Sequence, residues 1–360
     1  MGRRKAYYIF APEKQRHGGR GTWLIVLALI IGLSAAVFFL NMASNGRVEL
    51  TSEKVSVMGL DKAFEGFTIL HLSDLHASPV GSDMELWREL LFGKTFHAVV
   101  LSGDMVGLDG DYEPMLSLIH TLRAIKEDVP VYFIAGDDDP PAVISTPQGT
   151  PEALADWVRA AQKMGAVYLD APVAQQVGKY QVWFTPEYLY DVDAESMAAS
   201  LTLQKAEMEE QGLQYQSEGG ASYRALCYRL DAMQRTAAAQ KLMQSTDLQV
   251  AVNHAPLEAS YIRTGLEWAD QTKVFNFRQI DLVLAGHLCA GQWRLPGIGP
   301  VYVPERGWFP GDAGMMGMQR INSINQHISP GLGASEYYPL PGRLFNIPGA
   351  TLLRFTSNIE

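Results

Sequence analysis

Short apolar runs alternate with amphipathic stretches along most of the chain. The apolar runs cover residues 67–73, 98–102, 129–135, 248–253 and 280–285. Between them, apolar residues recur at helical spacing, as in residues 83–93 and 112–126. Continuous apolar strands separated by helices are typical of a buried sheet with helices packed outside it, so the pattern predicts an α/β fold.

A long apolar segment precedes this alternation. Residues 23–40 are almost wholly apolar, and no charged residue lies between Thr22 and Gly46. About 20 such residues form a helix that crosses a bilayer, so we predict a transmembrane anchor. The alternative is a cleaved signal peptide, whose apolar core is usually only about 7 to 15 residues long. The first 22 residues contain six basic residues against Glu13 alone, which predicts a single-pass cell-membrane protein with a cytoplasmic N-terminus and its main domain outside.

These features divide the chain into four parts. We predict a basic cytoplasmic tail (1–22), a transmembrane anchor (23–40), a linker (41–55) and a folded domain (56–358). Within that domain, an insertion at about 192–245 is rich in good helix formers over 194–210 and 222–243, with turn-like residues at 216–220 between them. We expect a helical hairpin that projects from the core and offers a surface to a protein partner.

Composition narrows the possible functions. Hydrophobic residues make up 47% of the 360 residues and charged residues 19%, which is the profile of a folded protein with a large core. The formal net charge of −10 argues against a nucleic-acid partner, because such proteins neutralise phosphates with Lys and Arg. Two cysteines, Cys227 and Cys289, are too few for a disulfide framework.

Each of the five predicted strands is followed by Asp or His. In chain order these residues are Asp74 with His76, Asp104, then Asp137, Asp138 and Asp139, then His254, and finally His287 with Cys289. The carboxyl ends of parallel strands meet at one edge of a sheet, so we expect these side chains to converge. Alternation along a strand would direct both members of a pair spaced by one residue to the same side. Four other histidines are interpreted as packed or surface residues: His71, His97, His120 and His327.

The residue types in this set indicate a metal site. Carboxylates, imidazoles and one thiolate suit divalent transition ions, whereas Mg²⁺ or Ca²⁺ sites consist mostly of oxygen ligands. Seven candidate ligands suit two metal ions that share one bridging carboxylate.

In this order, the motifs resemble the signature of the calcineurin-like metallophosphoesterases, which reads D-x-H, G-D, G-N-H-D/E, an isolated H, and G-H-x-H. The similarity is greatest to the membrane-tethered bacterial branch, which has SDLH in the first block and GHTHGGQ in the last. The corresponding residues here are 73–76 (SDLH) and 286–292 (GHLCAGQ). Residues 329–333 and 343–348 are similar to the closing strands of that branch.

The resemblance implies a four-layer sandwich, in which two mixed β-sheets are flanked by helices and a two-metal site lies at one edge. Carried over by position, one metal ion would bind Asp74, His76, Asp104 and Cys289, and the other would bind Asp104, Asp137, His254 and His287. Asp104 would bridge them. The family's reaction is attack on phosphorus by a metal-activated water.

Three positions depart from the family pattern. Asp137 replaces an Asn and Cys289 replaces a His, but each is still a competent ligand, so we expect binding of Zn, Fe or Mn. Asp138 replaces the His that assists the leaving group, and a positioned general acid is worth roughly 10²- to 10⁴-fold in rate. Asp138 therefore either donates a proton itself, after Asp137 and Asp139 raise its pKa, or serves leaving groups that need no help, or leaves the protein impaired.

Two functions follow from these observations. The first is a membrane-anchored, metal-dependent phosphoesterase that acts outside the membrane on a phosphorylated small molecule, a lipid or an envelope intermediate, with phosphodiesters among its substrates. The second is a catalytically impaired, metal-binding ectodomain that binds a phosphorylated ligand or a protein partner. A third and weaker hypothesis makes Cys227 and Cys289 a redox pair.

Overall fold

The computed structural model describes residues 19–144, 153–215, 217–338 and 342–358. The chain divides between Ser44 and Asn45 into two separate units. Most of the predicted basic tail (1–22), and residue 216 of the predicted turn, lie outside the described residues.

One helix, α1 (Gly19–Asn45), makes up nearly all of the described part of the first unit. Its segment Thr22–Met42 has 21 residues and a mean hydropathy of 2.8. Large apolar side chains such as Trp23, Leu33 and Phe38 are exposed along it. A helix of this length rises about 31 Å at 1.5 Å per residue, which matches the apolar thickness of a bilayer. By length and composition alone it is suited to a membrane span or a signal sequence.

The second unit contains helices and strands throughout. Its described helices are α2 (Met84–Leu91), α3 (Glu113–Ile125), α4 (Asp156–Lys163), α5 (Ala194–Glu210), α6 (Ser217–Leu242) and α7 (Ala259–Trp268). Its described strands are β1 (Glu49–Ser56), β2 (Thr68–Leu72), β3 (Ala98–Leu101), β4 (Val131–Phe133), β5 (Ala166–Tyr168), β6 (Val173–Val177), β7 (Tyr180–Pro186), β8 (Leu248–Val252), β9 (Leu282–Ala285), β10 (Trp293–Leu295), β11 (Gly299–Val303), β12 (Gly307–Trp308), β13 (Gly317–Ile321), β14 (Ile324–Ile328) and β15 (Gly349–Thr356). All five strands predicted from the apolar runs are present.

Two six-stranded mixed sheets form the centre of the unit. The first has the order β1-β15-β2-β3-β4-β5 and the second has the order β13-β14-β9-β8-β7-β6. In the first sheet only the β15–β2 pair is antiparallel; in the second, β13–β14 and β6–β7 are antiparallel and the other pairs are parallel. A small antiparallel sheet, β10-β11-β12, lies outside both, and the hydrophobic pattern did not predict it.

Alternation along the strands explains the layering. In β2, Leu70 and Leu72 pack in the cluster that also contains residues of α2, α3 and α4, while Ile69 packs in the cluster shared by the two sheets. Between the sheets, the rings of Tyr132 and Phe184 stack with centroids 4.2 Å apart. A third cluster joins the second sheet to α5, α6 and α7. The result is the four-layer arrangement of helices, sheet, sheet and helices that the resemblance implied.

The helical hairpin at 192–245 is present, but its turn is not where the sequence suggested. Helix α6 begins at Ser217, so the glycines at 219 and 220 lie in its first turn, and the chain reverses over residues 211–215. Glycine weakens a helix but does not prevent one. The hairpin is also not a simple projection, because Leu201 of α5 and Leu230 and Met233 of α6 are buried in the cluster that covers the second sheet.

Two assignments of local structure made from the sequence are wrong. The linker predicted at 41–55 is mostly ordered structure, because β1 pairs in parallel with β15 from Glu49 opposite Gly349 to Ser56 opposite Thr356. As an edge strand β1 buries few side chains, so its sequence lacks an apolar run. The segments 329–333 and 343–348 are loops rather than closing strands; Gly331 has a φ of +75°, and β14 and β15 take the expected strand positions.

Candidate functional site

The five predicted strand ends meet at one edge of the two sheets, as expected. Strands β2, β3 and β4 reach this edge from the first sheet, and β8 and β9 reach it from the second. Backbone hydrogen bonds join the loops that follow: His76 N–H donates to the Asp104 carbonyl at 2.9 Å, and Gly286 N–H donates to the His254 carbonyl at 2.7 Å. The candidate ligands therefore come from several loops that are fixed to one another.

The backbone reason for their convergence differs from the one expected. Strands β2 and β9 end at Leu72 and Ala285, before the ligands begin, so strand alternation does not orient them. Instead, a positive φ between +45° and +74° occurs at five candidate ligands: Asp74, His76, Asp104, His287 and Cys289. Left-handed conformations are unfavourable for residues with a side chain and cluster at functional sites. The loops thus store backbone strain to bring these side chains together.

Two glycines allow the loops to approach. A Cβ at Gly103, whose φ is +98°, would lie 2.6 Å from His254 Nδ1, and a Cβ at Gly136 would lie 2.1 Å from Asp104 Oδ1. Any side chain at either position would displace a candidate ligand.

Three groups of side chains hold their ligand atoms within 4.8 Å of one another. They are Asp74 with His76 and Cys289; Asp104 with His254 and His287; and His76 with Asp104 and Asp138. Six of the seven predicted ligands fall in the first two groups. The four histidines set aside above belong to none of the groups found among the described residues.

Asp104 lies at the centre of the cluster. Its Oδ2 is 2.9 Å from His254 Nε2 and 3.8 Å from His76 Nε2, and its Oδ1 accepts the Asp138 backbone N–H at 2.8 Å. Burial opposes ionisation of Asp104, but the hydrogen bond and charge of His254 outweigh it and lower the pKa of the carboxyl. Burial likewise opposes protonation of His254, yet Asp104 raises the pKa of that imidazole to about 10.

His254 is oriented through its other ring nitrogen. Nδ1 lies 2.9 Å from the Ser102 carbonyl oxygen, to which only an N–H can donate. Because this bond places a hydrogen on Nδ1, Nε2 is the ring nitrogen that faces Asp104 and the one that a metal ion would bind in place of a proton, which is a common arrangement around metal-binding histidines.

Asp74 and Cys289 form the most buried part of the site. Both side chains are fully buried, and Cys289 Sγ lies 3.8 Å from His76 Nε2. Burial raises the pKa of the Asp74 carboxyl and of the Cys289 thiol, and Asp74 raises that of the thiol further. A cation at this point would relieve both groups, because metal ions bind carboxylate and thiolate in preference to their protonated forms.

Asp137 is the predicted ligand that the structure does not bring into a group. Its carboxylate is 69% exposed and lies 3.4 Å from His287 Nδ1. On the other side of the same ring, Glu305 Oε1 lies 3.3 Å from His287 Nε2 and raises the pKa of the imidazole. Glu305 follows Pro304 in a turn between β11 and β12, and no sequence motif pointed to it.

Asp138 faces the cluster rather than the solvent. Its Oδ2 is 3.4 Å from His76 Nδ1 and accepts a hydrogen bond of 3.5 Å from Ser335 Oγ. The pKa of Asp138 is raised, which one of the three alternatives above required, but the causes are burial and then Asp104 rather than its two Asp neighbours.

Asp139 has a different task from its two neighbours. One carboxylate oxygen accepts the Val106 N–H at 2.7 Å and the other accepts the Gly136 N–H at 2.8 Å. The first bond joins the loop after β3 to the loop after β4, and the second lies within the loop after β4. Burial raises the pKa of Asp139 to about 7.

Two further residues that the sequence analysis missed hold Cys289 in place. The buried guanidinium of Arg343 donates to the carbonyls of Gly333 and Pro330, both at 2.7 Å, and to the Asn346 carbonyl at 3.1 Å. The Asn346 side chain in turn donates to the Cys289 carbonyl at 2.9 Å. Cys227 and Cys289 are both free thiols.

A cavity of about 390 Å³ opens beside the cluster. It is lined by Asp104, Asp137, Asp138, His287, Pro304, Glu305, Ser335, Tyr337 and Tyr338. Four of these residues carry carboxylates, and none of the described lining residues is Lys or Arg. Larger cavities lie elsewhere, including one of about 670 Å³ at the base of the helical hairpin, but none of the candidate ligands lines it.

Comparison with models of known protein families assigns this chain to one of them. The model of the family "Calcineurin-like phosphoesterase" matches residues 67–291, which is more than half of the chain. The chain belongs to the calcineurin-like phosphoesterase family. The match contains the site residues from Asp74 to Cys289, together with the hairpin α5–α6, while Ser335, Tyr338 and Arg343 lie beyond it.

Similarity to individual proteins is weaker. Comparison with curated protein sequences finds no match. Among solved structures, the chain is similar to the Phosphopantetheinyl Hydrolase (PptH) from Mycobacterium tuberculosis, with 12% sequence identity, 74% of this chain and 89% of that chain covered, and a TM-score of 0.32. It is also similar to the protein TT1561 of Thermus thermophilus, with 11% identity, 74% and 90% covered, and a TM-score of 0.37. Similarity at this level carries no inference about activity.

The calcineurin-like phosphoesterase site fits divalent metal ions by its own chemistry. Its ligand atoms form three close groups that mix carboxylate, imidazole and thiol, a donor set suited to transition ions. His254, with its second nitrogen committed to the Ser102 carbonyl, already has the orientation of a metal ligand.

Proposed function

We propose that this chain is a metal-dependent phosphoester hydrolase with a dinuclear centre. The observation that carries the proposal is the pair of ligand groups, Asp74 with His76 and Cys289, and Asp104 with His254 and His287. We assign the first group to one divalent ion and the second to another, with Asp104 bridging and Asp137 as a further ligand on the His287 side. Zn, Fe or Mn is the expected ion. When bound, such ions supply Lewis acidity and an activated water.

The protein's own residues prepare this centre. The Ser102 carbonyl fixes the tautomer of His254, the Asp138 and His287 backbone N–H groups orient the carboxylates of Asp104 and Asp74, and Glu305 holds the exposed side of the His287 ring. Because these partners are fixed before substrate binds, little reorganisation is needed at the moment of reaction.

The cavity limits the class of substrate. Its carboxylates repel a phosphate monoester dianion more than a diester monoanion, and the described part of its lining has no Lys or Arg to offset them. We therefore propose phosphodiesters, and esters with good leaving groups, as the preferred substrates. Substrates of this class include phosphorylated small molecules, lipids and envelope intermediates.

A substrate panel tests this activity. The full chain, purified in detergent without chelator, is assayed for metal content and for hydrolysis of aryl phosphodiesters, alkyl diesters and monoesters. We expect turnover that is highest on aryl diesters, whose leaving group requires no proton. A chain with full metal content that hydrolyses no member of the panel would overturn the proposal.

We further propose that α1 anchors the domain to the outer face of the cell membrane, with the basic tail in the cytoplasm. The support is the 21-residue apolar stretch and the excess of basic residues before it. Protease added to intact cells should remove the domain and spare the tail. Complete protection of the domain would contradict this orientation.

The second candidate is a catalytically impaired metal-binding ectodomain that binds a phosphorylated ligand, or binds a protein through the hairpin α5–α6. The observation in its favour is Asp138, a carboxylate beside His76 at the position where the family pattern has an imidazole. It predicts metal and phosphate binding with no turnover on either substrate class.

A further inference from the structure

One side chain in the cavity has a polar group without a partner. Tyr338 is 7% exposed, and its ring packs edge-on against Trp293 and Tyr302, with centroids 5.7 and 6.1 Å away. Trp293 and Tyr302 are paired residues of β10 and β11, so these two aromatic contacts hold the ring against that strand pair. Yet the buried hydroxyl makes no hydrogen bond to any residue that the structure describes.

A buried hydroxyl without a partner is unusual. Taking it from water costs free energy that only a new hydrogen bond returns, and nearly all buried polar groups in native proteins are paired. Such a group at the wall of a ligand cavity indicates a partner that arrives with the ligand.

Among the buried polar groups of the cavity, the others leave the donation of a hydrogen bond to Tyr338. Asp137, Asp138 and Glu305 offer acceptors, whereas a phosphate group requires donors. Ser335 Oγ donates to Asp138, and both ring nitrogens of His287 face neighbouring side chains. Among the described buried side chains of the cavity, the Tyr338 hydroxyl is the one uncommitted donor.

The surroundings also keep this hydroxyl protonated. Burial raises the pKa of Tyr338, and the nearby Cys289 and Glu305 raise it further. A neutral phenol keeps its proton at physiological pH and therefore acts as a hydrogen-bond donor.

We propose that the Tyr338 hydroxyl donates a hydrogen bond to the phosphate group of the bound substrate, which makes Tyr338 a catalytic residue of this site. The inference rests on the proposed function, because it assigns a donor within the same cavity. The ligand it recognises is the anionic phosphoryl oxygen, whatever the alcohol on the other side of the ester.

The test compares Tyr338→Phe with Tyr302→Phe in the metal-loaded full chain. Both variants lose one hydroxyl from the same aromatic cluster and keep the ring, but Tyr302 does not line the cavity. We expect kcat/KM on phosphodiesters to fall by about 10- to 100-fold in Tyr338→Phe, the range for a hydrogen bond to a charged group. Tyr302→Phe should stay within about twofold of the parent, since it removes no contact with substrate.

Two measurements besides turnover separate this role from a structural one. Binding of inorganic phosphate, followed by calorimetry, should weaken by about 10-fold or more in Tyr338→Phe. The midpoint of thermal unfolding without phosphate should be equal to or above that of the parent, because the hydroxyl has no partner to lose. A lower midpoint with unchanged phosphate affinity would assign a structural role and overturn the inference.

The outcomes also distinguish this inference from the proposed function. A parent that hydrolyses phosphodiesters, with Tyr338→Phe equal to it in both kcat/KM and phosphate affinity, would overturn the inference alone. A parent without turnover contradicts the proposed function, and the phosphate titration still decides the inference. If the parent has no turnover and binds phosphate no more tightly than Tyr338→Phe, the inference is overturned as well.

Discussion

Replacing Asp138 by His should raise turnover on phosphoesters with poor leaving groups. The Asp138 carboxylate is 5% exposed and lies 3.4 Å from His76 Nδ1. In the proposed site this places it beside the reacting phosphate group. An imidazole there supplies a proton donor, and we expect a gain of about 10-fold or more, a modest part of what general acid catalysis can give.

The charge of Asp138 contributes separately. One negative charge about 5 Å from a phosphate monoanion, at an effective dielectric constant of about 20, costs roughly 3 kcal/mol or about 100-fold in affinity. This is an upper value, because protonation of Asp138 reduces it, and burial and Asp104 raise the pKa of that carboxyl. Asp138→Asn removes the same charge without adding a proton donor and is the matched control.

The assay measures kcat/KM for the parent, Asp138→Asn and Asp138→His on an alkyl monoester and on an activated aryl phosphodiester, at equal metal content. Asn should improve both substrates through the lost repulsion, with a larger gain on the dianionic monoester. His should add its further gain only on the alkyl monoester. If Asp138→His is no better than Asp138→Asn on that substrate, the proton-donor reasoning is wrong. If Asp138→Asn abolishes turnover of the alkyl monoester but not of the aryl phosphodiester, Asp138 donates its own proton and the repulsion argument is refuted.

Three further predictions concern two candidate metal ligands and one buried histidine. Asp104→Asn should lose most bound metal and all activity, because Asp104 belongs to two of the ligand groups; elemental analysis showing full metal content would contradict its bridging role. Cys289→His should preserve or raise metal binding and Cys289→Ser should weaken it markedly, while equal metal content in Cys289→Ser and the parent would mean that Cys289 is only a buried thiol. Burial lowers the pKa of His327 to about 3, so the folded state does not take up the proton that the unfolded state binds below its pKa of about 6.5. The free energy of unfolding of the parent, relative to that of His327→Gln, should therefore fall by about 1.4 kcal/mol per pH unit below that point. Urea unfolding measured from pH 6.5 to 4.5 would refute this if the difference between the two proteins stayed constant.

The sequence was most informative for strands that are buried on both faces of a sheet. Strands β2, β3, β8 and β9 are buried on both faces, so their sequences are apolar except at Thr68, His71 and Gln249, and the pattern located each one. The same reasoning failed for β1 and for the small sheet β10-β11-β12, whose residues are partly exposed and mixed in character. Such strands form because a neighbouring strand pairs with them, and no local pattern records that partner.

The candidate site shows a similar division. Residue type and order along the chain identified the six candidate ligands that the structure groups together, because metal chemistry restricts the choice of side chains. Their orientation was not predictable, since it depends on left-handed backbone at Asp74, Asp104 and Cys289 rather than on strand geometry. Glu305 and Tyr338 were also missed. Each acts through a position that only tertiary structure creates, and neither has a neighbouring residue that forms a motif with it.

The most direct test of the account is a metal titration of the chelator-treated full chain, with phosphodiester hydrolysis followed against the number of divalent ions bound. We expect no activity in the metal-free protein and full recovery at two ions per chain. Full activity in the metal-free protein, or saturation with two ions and no hydrolysis, would contradict it.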